Sequence, residues 1–271
     1  MPSERYEPEL GAIVLVGGRS TRMGTAKALL DWHGSTMARR VTGIVGRAAR
    51  PVVVVHEPGQ ELPPLPDAEL VADAAPGRGP LEGIAAGMRA LAGRCRCVFV
   101  SGTDLPLLHP EFVRSIARAL DGHEIVAPVA GERSHPLAAV YRIEVLHRIE
   151  RLLAHDQLRV TALLDSPGTH RLDADSLPHP ESLRNLNTPE EYARAIAEPE
   201  PEIVVEAFGA AGDRTGFTTR PVRAATLGRV VAAAGIEDLL AGALSLTLNG
   251  VPLQRDPATP LVAGDKIGVT T

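Results

Sequence analysis

The feature that most constrains the fold is an apolar, β-branched run from Gly11 to Val16, which leads straight into Gly17 and Gly18 and then a polar, basic loop ending at Lys27. An apolar run of this length that stops at glycines reads as a buried strand entering a loop. Glycine there admits backbone conformations and close approaches that a Cβ would block. Successive backbone N–H groups in such a loop form a nest for anions, and Arg22 and Lys27 add positive charge. Gly17, Gly18 and Gly24 together with Arg22 and Lys27 therefore read as a phosphate cradle rather than an ordinary strand-to-helix loop. Two other phosphate loops are excluded. Lys27 is followed by Ala28, so there is no G-x-x-x-x-G-K-[ST], and the loop contains no G-x-G-x-x-G.

Strand and helix patterns alternate after this loop. Pro51 to Val55 is a valine-rich strand, typical of a parallel sheet covered on both faces. Further strands are expected at Leu70 to Ala72, Cys97 to Val100, Glu124 to Ala127 and Leu137 to Tyr141. Ser35 to Ala49 has helical spacing, with Met37, Val41, Ile44 and Val45 on one side and Ser35 as its cap. Helices are also expected at Pro80 to Leu91, Pro110 to Leu120, Ile143 to Ala154 and Arg159 to Leu164. The last, Thr188 to Ala197, has Thr188 as cap and Pro189 at its first position. This alternation predicts a three-layer α/β/α domain with a mainly parallel sheet, whose ligands sit beyond the carboxyl ends of the strands.

A charged, Pro-rich linker at 198–202 separates this domain (1–197) from a second of different composition (203–271). The second reads β-β-α-β-β, with Asn249-Gly250 as a hairpin turn. At 271 residues the chain can hold one large and one small domain.

A net charge of -5 argues against nucleic acid or an acidic membrane surface as partner. Met1 to Leu10 lacks the apolar core of a signal peptide, and no apolar run is long enough to span a bilayer, so a cytoplasmic protein is expected. Cys95 and Cys97 are too few for a zinc site and read as buried free thiols.

Asp104 follows the Cys97 to Val100 strand within a turn stiffened by Pro106, at the sheet's carboxyl rim. Its position suits either a Mg²⁺ ligand or an Asx-turn residue. Asp73 precedes Gly77, Gly79 and Pro80, and by position reads as a loop carboxylate capping the next helix, whose N-terminus also favours anions.

The run L-V-G-G-R-S-T-R-M-G-T-A-K (Leu15 to Lys27) resembles the signature loop of the molybdenum-cofactor nucleotidyltransferases, above all the guanylyltransferases. Four more segments match in order: Asp73 to Gly83, Thr103 to Pro106, Arg133 to Tyr141 and Asn185 to Glu190. The resemblance implies a Rossmann-like nucleotidyltransferase domain that transfers GMP from GTP to molybdopterin with Mg²⁺ and releases pyrophosphate. It implies Asp104 as the metal ligand and Lys27, Arg22 and Asp104 as the catalytic group. Leu15, Val16, Gly17, Gly18, Gly24, Lys27, Asp73 and Asp104 would bind the nucleotide, and Arg133, His135, Asn185 and Asn187 the phosphorylated pterin.

The chain departs from the family at Ala26, where guanylyltransferases often carry Asp, and at Val55 and His56, where many carry Asn. Cytidylyl transfer to the same cofactor is the alternative within enzymes, and a cofactor-binding and delivery module the alternative outside them. The tail resembles the β-grasp (ubiquitin-like) sulfur carriers at Ile203 to Phe208, Leu248 to Pro252 and Pro260 to Ile267. Those carriers end in Gly-Gly, whereas this sequence ends Gly268-Val269-Thr270-Thr271, so the tail is expected not to carry sulfur. A docking or structural role is expected instead, with a molybdoenzyme or a cofactor-biosynthesis protein as the partner to be docked.

Overall fold

The computed structural model describes residues 10–17, 26–75, 77–237 and 244–270. The apolar run ahead of Gly17 and Gly18 forms β1 (Leu10–Leu15), every residue of which is buried. Alternate side chains of a strand point to opposite faces. Accordingly Ala12 and Val14 join the core on one side of the sheet, and Ile13 and Leu15 the core on the other.

After β1 come a 3-10 turn (Lys27–Leu29), a small hairpin of β2 (Asp31–Trp32) and β3 (Ser35–Thr36), and helix α1 (Met37–Val45). Then follow β4 (Val52–His56), β5 (Glu69–Ala72), α2 (Pro80–Leu91), β6 (Cys97–Gly102) and α3 (Pro110–Arg118). The unit closes with β7 (Ile125–Ala130), β8 (Arg133–Ser134), β9 (Ala138–Arg142), α4 (Leu146–Ala154), β10 (Thr169–Asp173) and α5 (Pro189–Ile196). The sheet order is β10-β7-β9-β6-β1-β4-β5, with β8 paired to β7. β1 is parallel to both β4 and β6, while β9 runs antiparallel between β6 and β7. The mixed α/β core with a mainly parallel sheet is therefore present. α1 and α3 pack on one face, α2 and α4 on the other.

Several local expectations need correction. Ser35 does not cap α1; Thr36 does, its hydroxyl accepting from the Arg39 amide at 3.2 Å. Ser35 is used instead to pair with Trp32 in the hairpin. The helix ends at Val45, short of Ala49. Val160–Asp165 is a 3-10 segment, and β10 was not expected at all. The cysteines are free but only half-buried.

A second sheet follows at the C-terminal end. It comprises β11 (Glu202–Ala207), β12 (Thr219–Arg223), β13 (Ser245–Leu248), β14 (Val251–Pro252) and β15 (Lys266–Thr270), with α6 (Ala210–Thr215) and α7 (Leu227–Ala234) between strands. Where the sequence suggested only a Gly-rich turn after Phe208, the chain forms α6. The strand order is β12-β11-β15-β13-β14, with β11 and β15 parallel and the other pairs antiparallel. Its core sets Ile203, Val205, Ile267 and Val269 against Leu227, Val230 and Val231 of α7.

The C-terminal sheet domain is seated on α1. Arg47 forms a two-pronged ion pair with buried Asp265, Nη1–Oδ2 2.9 Å and Nη2–Oδ1 2.5 Å. Thr226 donates to the His33 carbonyl at 2.9 Å, and Val262 joins the core beneath α1 and α3. Glu200, between the two sheets, accepts from the Ala225 amide at 2.8 Å and pairs with Arg229.

Candidate active site

Strand register brings the chemistry to one edge. Leu15 at the end of β1 lies level with Val55 on β4 and Gly102 on β6. Ser101 on β6 faces Ala138 at the start of antiparallel β9. The residues after β1, β4 and β6 and those before β9 therefore leave the same edge, where ligands bind in open α/β sheets. Gly17, Glu57, Asp104 and His135 belong to those segments.

Asp104 stands in the turn after β6. Gly102 is what makes room for it, because a Cβ there would lie 2.6 Å from Asp104 Oδ1. Asn185 donates from Nδ2 to Asp104 Oδ2 at 3.0 Å, and the Leu186 amide donates to the Asp104 carbonyl at 2.9 Å. Two residues on, Asn187 Oδ1 accepts from Lys27 Nζ at 3.0 Å. The segment Asn185-Leu186-Asn187 thus holds the carboxylate with one side chain and the ammonium with the other.

This segment is itself fixed by the start of α5. Thr188 and Glu191 form a reciprocal capping box. Glu191 also accepts from the Asn187 amide at 2.7 Å, and that bond is the main reason its carboxyl is held below the usual range. Leu186 points the other way, into a cluster with Trp32, Met37, Ala195 and Ala225.

The loop end before Lys27 is partly described. Val16 donates its amide to Val55 O at 2.9 Å, and its carbonyl accepts from Gln60 Nε2 at 3.0 Å. Gly17 is exposed. Gly18, Arg22 and Gly24 lie outside the described residues. Asp73 accepts from the Ala75 amide at 2.9 Å in an Asx turn. It does not cap α2, whose N-cap Gly79 makes no side-chain cap bond.

Arg133 and His135 lie on the β7–β9 side of the same edge. His135 anchors the turn through its backbone, donating to Pro128 O at 2.9 Å. Burial and then Arg133 push its imidazole pKa down, which favours the neutral ring. Beneath it the Tyr141 hydroxyl donates to Pro136 O at 2.7 Å. Among the described residues, no hydrogen bond joins Arg133 or His135 to Asp104 or Lys27. By contrast Asn185 and Asn187, grouped with them from the sequence, are turned onto Asp104 and Lys27.

Among the described residues no group of three His, Cys, Asp or Glu side chains could hold a metal. What remains fits Mg²⁺, which takes one or two carboxylates and completes its shell with phosphate oxygens and water. Asp104 would supply that carboxylate. Gly102, Gln60 and Glu191 were missed from the sequence. The Ser-Gly-Thr-Asp order was a usable signal for Gly102, since a glycine two residues before a rim carboxylate marks close packing.

The family and the relatives make this chain a nucleotidyltransferase. The chain belongs to the MobA-like NTP transferase domain family, whose model matches residues 12–170. It is 40% identical over 185 residues to a Mycobacterium marinum protein named "Probable molybdenum cofactor guanylyltransferase", spanning 66% of this chain and 89% of that one. The Mycobacterium tuberculosis protein of the same name is 38% identical over the same length and shares. The solved structure of molybdopterin-guanine dinucleotide biosynthesis protein A from Archaeoglobus fulgidus superposes with a TM-score of 0.58 at 22% identity, covering 68% of this chain and 96% of that one. A 2-C-methyl-D-erythritol 4-phosphate cytidylyltransferase from Thermus thermophilus gives 0.54 at 17% identity, over 70% of this chain and 98% of that one. Both show the fold.

Proposed function

We propose that the chain transfers GMP from GTP to the phosphate of molybdopterin or its molybdenum-bearing form, releasing pyrophosphate and giving the guanine dinucleotide cofactor. The observation that carries this reading is the Asn185-Leu186-Asn187 segment, which presents Asp104 and Lys27 together at the edge where the β1 loop ends. The names of the mycobacterial relatives favour guanine and the molybdenum cofactor over other nucleotidyl transfers.

In this reading the base lies against the Leu15–Gly18 backbone, where a guanine amine can replace the Gln60 amide at the Val16 carbonyl. Lys27 and Arg22 bind the nucleotide phosphates, with Asp73 at the flank. Asp104 would hold Mg²⁺, which would supply charge neutralisation for the phosphates and for the pyrophosphate leaving group. Asn185 fixes the Asp104 carboxylate, and Asn187 keeps the Lys27 ammonium aimed at the site. Arg133 and neutral His135 receive the pterin, together with the free hydrogen-bonding capacity of the asparagines. No side-chain nucleophile is needed, because the pterin phosphate attacks the α-phosphorus in line and pyrophosphate leaves.

Residues 1–197 would act as the catalytic domain and 203–271 as a β-grasp module, joined by 198–202. The parallel pairing of β11 with β15 at the centre of its sheet supports that assignment. The module would dock a molybdoenzyme or a cofactor-biosynthesis protein, and the whole chain would work in the cytoplasm. No described helix is long and apolar enough to cross a membrane.

The test is a nucleotide panel. With Mg²⁺ and molybdopterin, GTP should yield pyrophosphate and a dinucleotide product by mass, and CTP and ATP should not. A CTP-only product moves the chain to the cytidylyl reading, and binding without turnover moves it to the delivery module.

A further inference from the structure

Arg40 lies in the middle of α1 and is only 3% exposed. Among the described residues it has no carboxylate partner in hydrogen-bond range; its guanidinium is spent on three backbone carbonyls. Nε donates to Pro106 O, Nη1 to Ala225 O at 3.1 Å and to Leu261 O at 3.3 Å, and Nη2 to Leu261 O at 3.3 Å. Burial lowers its pKa to about 9, so charge is retained at neutral pH at a real cost. Gluing two domains together needs no such residue, since a leucine would fill the space without desolvating a cation. What Arg supplies is a rigid fork of donors that can bind several acceptors at fixed angles.

The acceptors identify what is being fixed. Pro106 follows the Thr103-Asp104 turn by two residues, in the connection from β6 to α3. Ala225 and Leu261 belong to the C-terminal sheet domain, and their own segments are tied by the Leu261 amide donating to Ala225 O at 2.9 Å. A second link runs alongside. Ala225, fully buried, packs in the same cluster as Leu186, which sits between the two asparagines and donates its amide to Asp104 O. Both routes connect the C-terminal domain to the back of the Asp104 turn and of the Asn185–Asn187 segment, and neither passes through the nucleotide loop.

We propose that Arg40 is a positioning residue through which the seated C-terminal domain sets the geometry of Asp104 and of the Asn185–Asn187 segment. Moving that domain, as a bound partner protein could, then changes the rate of the chemical step rather than the affinity for nucleotide. The effect on rate rests on the proposed nucleotidyl transfer; the mechanical coupling does not.

Two full-length variants test it from opposite sides. Arg40→Met removes the fork. Gly43→Leu leaves Arg40 intact and wedges the domain away, because even a Cβ at Gly43 would meet Pro260 Cγ at 2.8 Å. Leucine is also a better helix former than glycine, so α1 itself is not weakened. Hydrogen exchange at the Leu186 amide reads the coupling without any substrate, and steady-state pyrophosphate release reads its consequence. Both variants should exchange Leu186 about tenfold faster and lose about tenfold in kcat, with KM for GTP within about twofold of the parent. Arg40→Lys, which keeps charge but loses the fork, should stay with Arg40→Met. Unchanged Leu186 exchange and unchanged kcat in folded Gly43→Leu would overturn the proposal, and that variant decides the matter if Arg40→Met does not fold. A parent protein inactive with GTP and molybdopterin counts against the transfer reading, while exchange still decides the coupling.

Discussion

Asn185 donates from its amide to the carboxylate of Asp104 at 3.0 Å, although 81 residues separate them in sequence. The bond engages Oδ2 and fixes the plane of the carboxylate, while Oδ1 lies against Gly102. Asn187 does the equivalent for Lys27. Asn185→Ala and Asn187→Ala should each lower kcat by about 10- to 100-fold, the usual cost of losing a group that orients a ligand or a catalytic side chain. Both variants should fold normally, since each residue is only half-buried. Steady-state pyrophosphate release, with circular dichroism as the folding control, checks this; a rate within twofold of the parent would leave the asparagines with no role in positioning.

Gly102 admits the Asp104 carboxylate by lacking a side chain. Gly102→Ala should push Oδ1 out of place and reduce kcat by at least about tenfold, as a misplaced catalytic group does. Thermal stability should fall little, because the carboxylate can swing toward solvent. A Gly102→Ala enzyme of parental activity would show that Oδ1 is not held where the chemistry needs it.

His109 caps α3 by accepting from the Glu111 amide on Nδ1 at 3.1 Å, and its Nε2 bonds Ala263 O of the C-terminal domain at 3.2 Å. Both bonds are satisfied only by the neutral ring protonated on Nε2. Burial, and next the stacked His179, push its pKa down from 6.5. A lowered histidine pKa means that the unfolded chain binds more protons in the window between the two values, so stability rises with pH there. The melting temperature should therefore decline as pH falls below 6.5 toward the folded value. His109→Asn, which keeps an acceptor for the cap but cannot gain charge, should show a shallower decline. Parallel pH profiles for the two proteins would remove His109 from the effect.

Asp265 is 2% exposed and accepts from both prongs of Arg47, from Asn249 and from the Val262 amide. Asp265→Ala removes the carboxylate from a half-buried guanidinium and from the Val262 amide, and should cost about 3 kcal/mol of stability. Chemical denaturation measures this directly. A loss well below 1 kcal/mol would mean that water replaces the carboxylate and that the domain is seated mainly by its apolar contacts.

The parts legible in the sequence are those governed by short-range pattern. β1 was plain because an all-apolar run ending in two glycines has few other uses, and Thr188-Pro189 marked the start of α5 by local chemistry alone. Ser35 misled because Ser35 and Thr36 are both competent caps, and only the pairing of Ser35 with Trp32 settles which is used. The rest of the site depends on contacts distant in sequence. Nothing near Asn185 or Asn187 indicates that they face Asp104 and Lys27, so they were grouped with the pterin side. Arg40 drew no reading from the sequence, because its three carbonyl partners lie in segments distant along the chain. Asp73 misled locally as well, since a carboxylate just ahead of α2 reads as its cap, whereas it accepts from the Ala75 amide in an Asx turn.

The most direct test of the account is single-turnover pyrophosphate release by Asp104→Ala, with Mg²⁺, GTP and molybdopterin at saturation and Lys27→Ala run beside it. Both proteins should fold as the parent does. Asp104→Ala should show no Mg²⁺-dependent turnover, and Lys27→Ala should be about 100-fold or more slower than the parent, the scale expected for removing a charge that stabilises the transition state. Parental Mg²⁺-dependent turnover by Asp104→Ala would contradict the account, because it would place the metal and the reaction away from the edge formed by β1, β4 and β6.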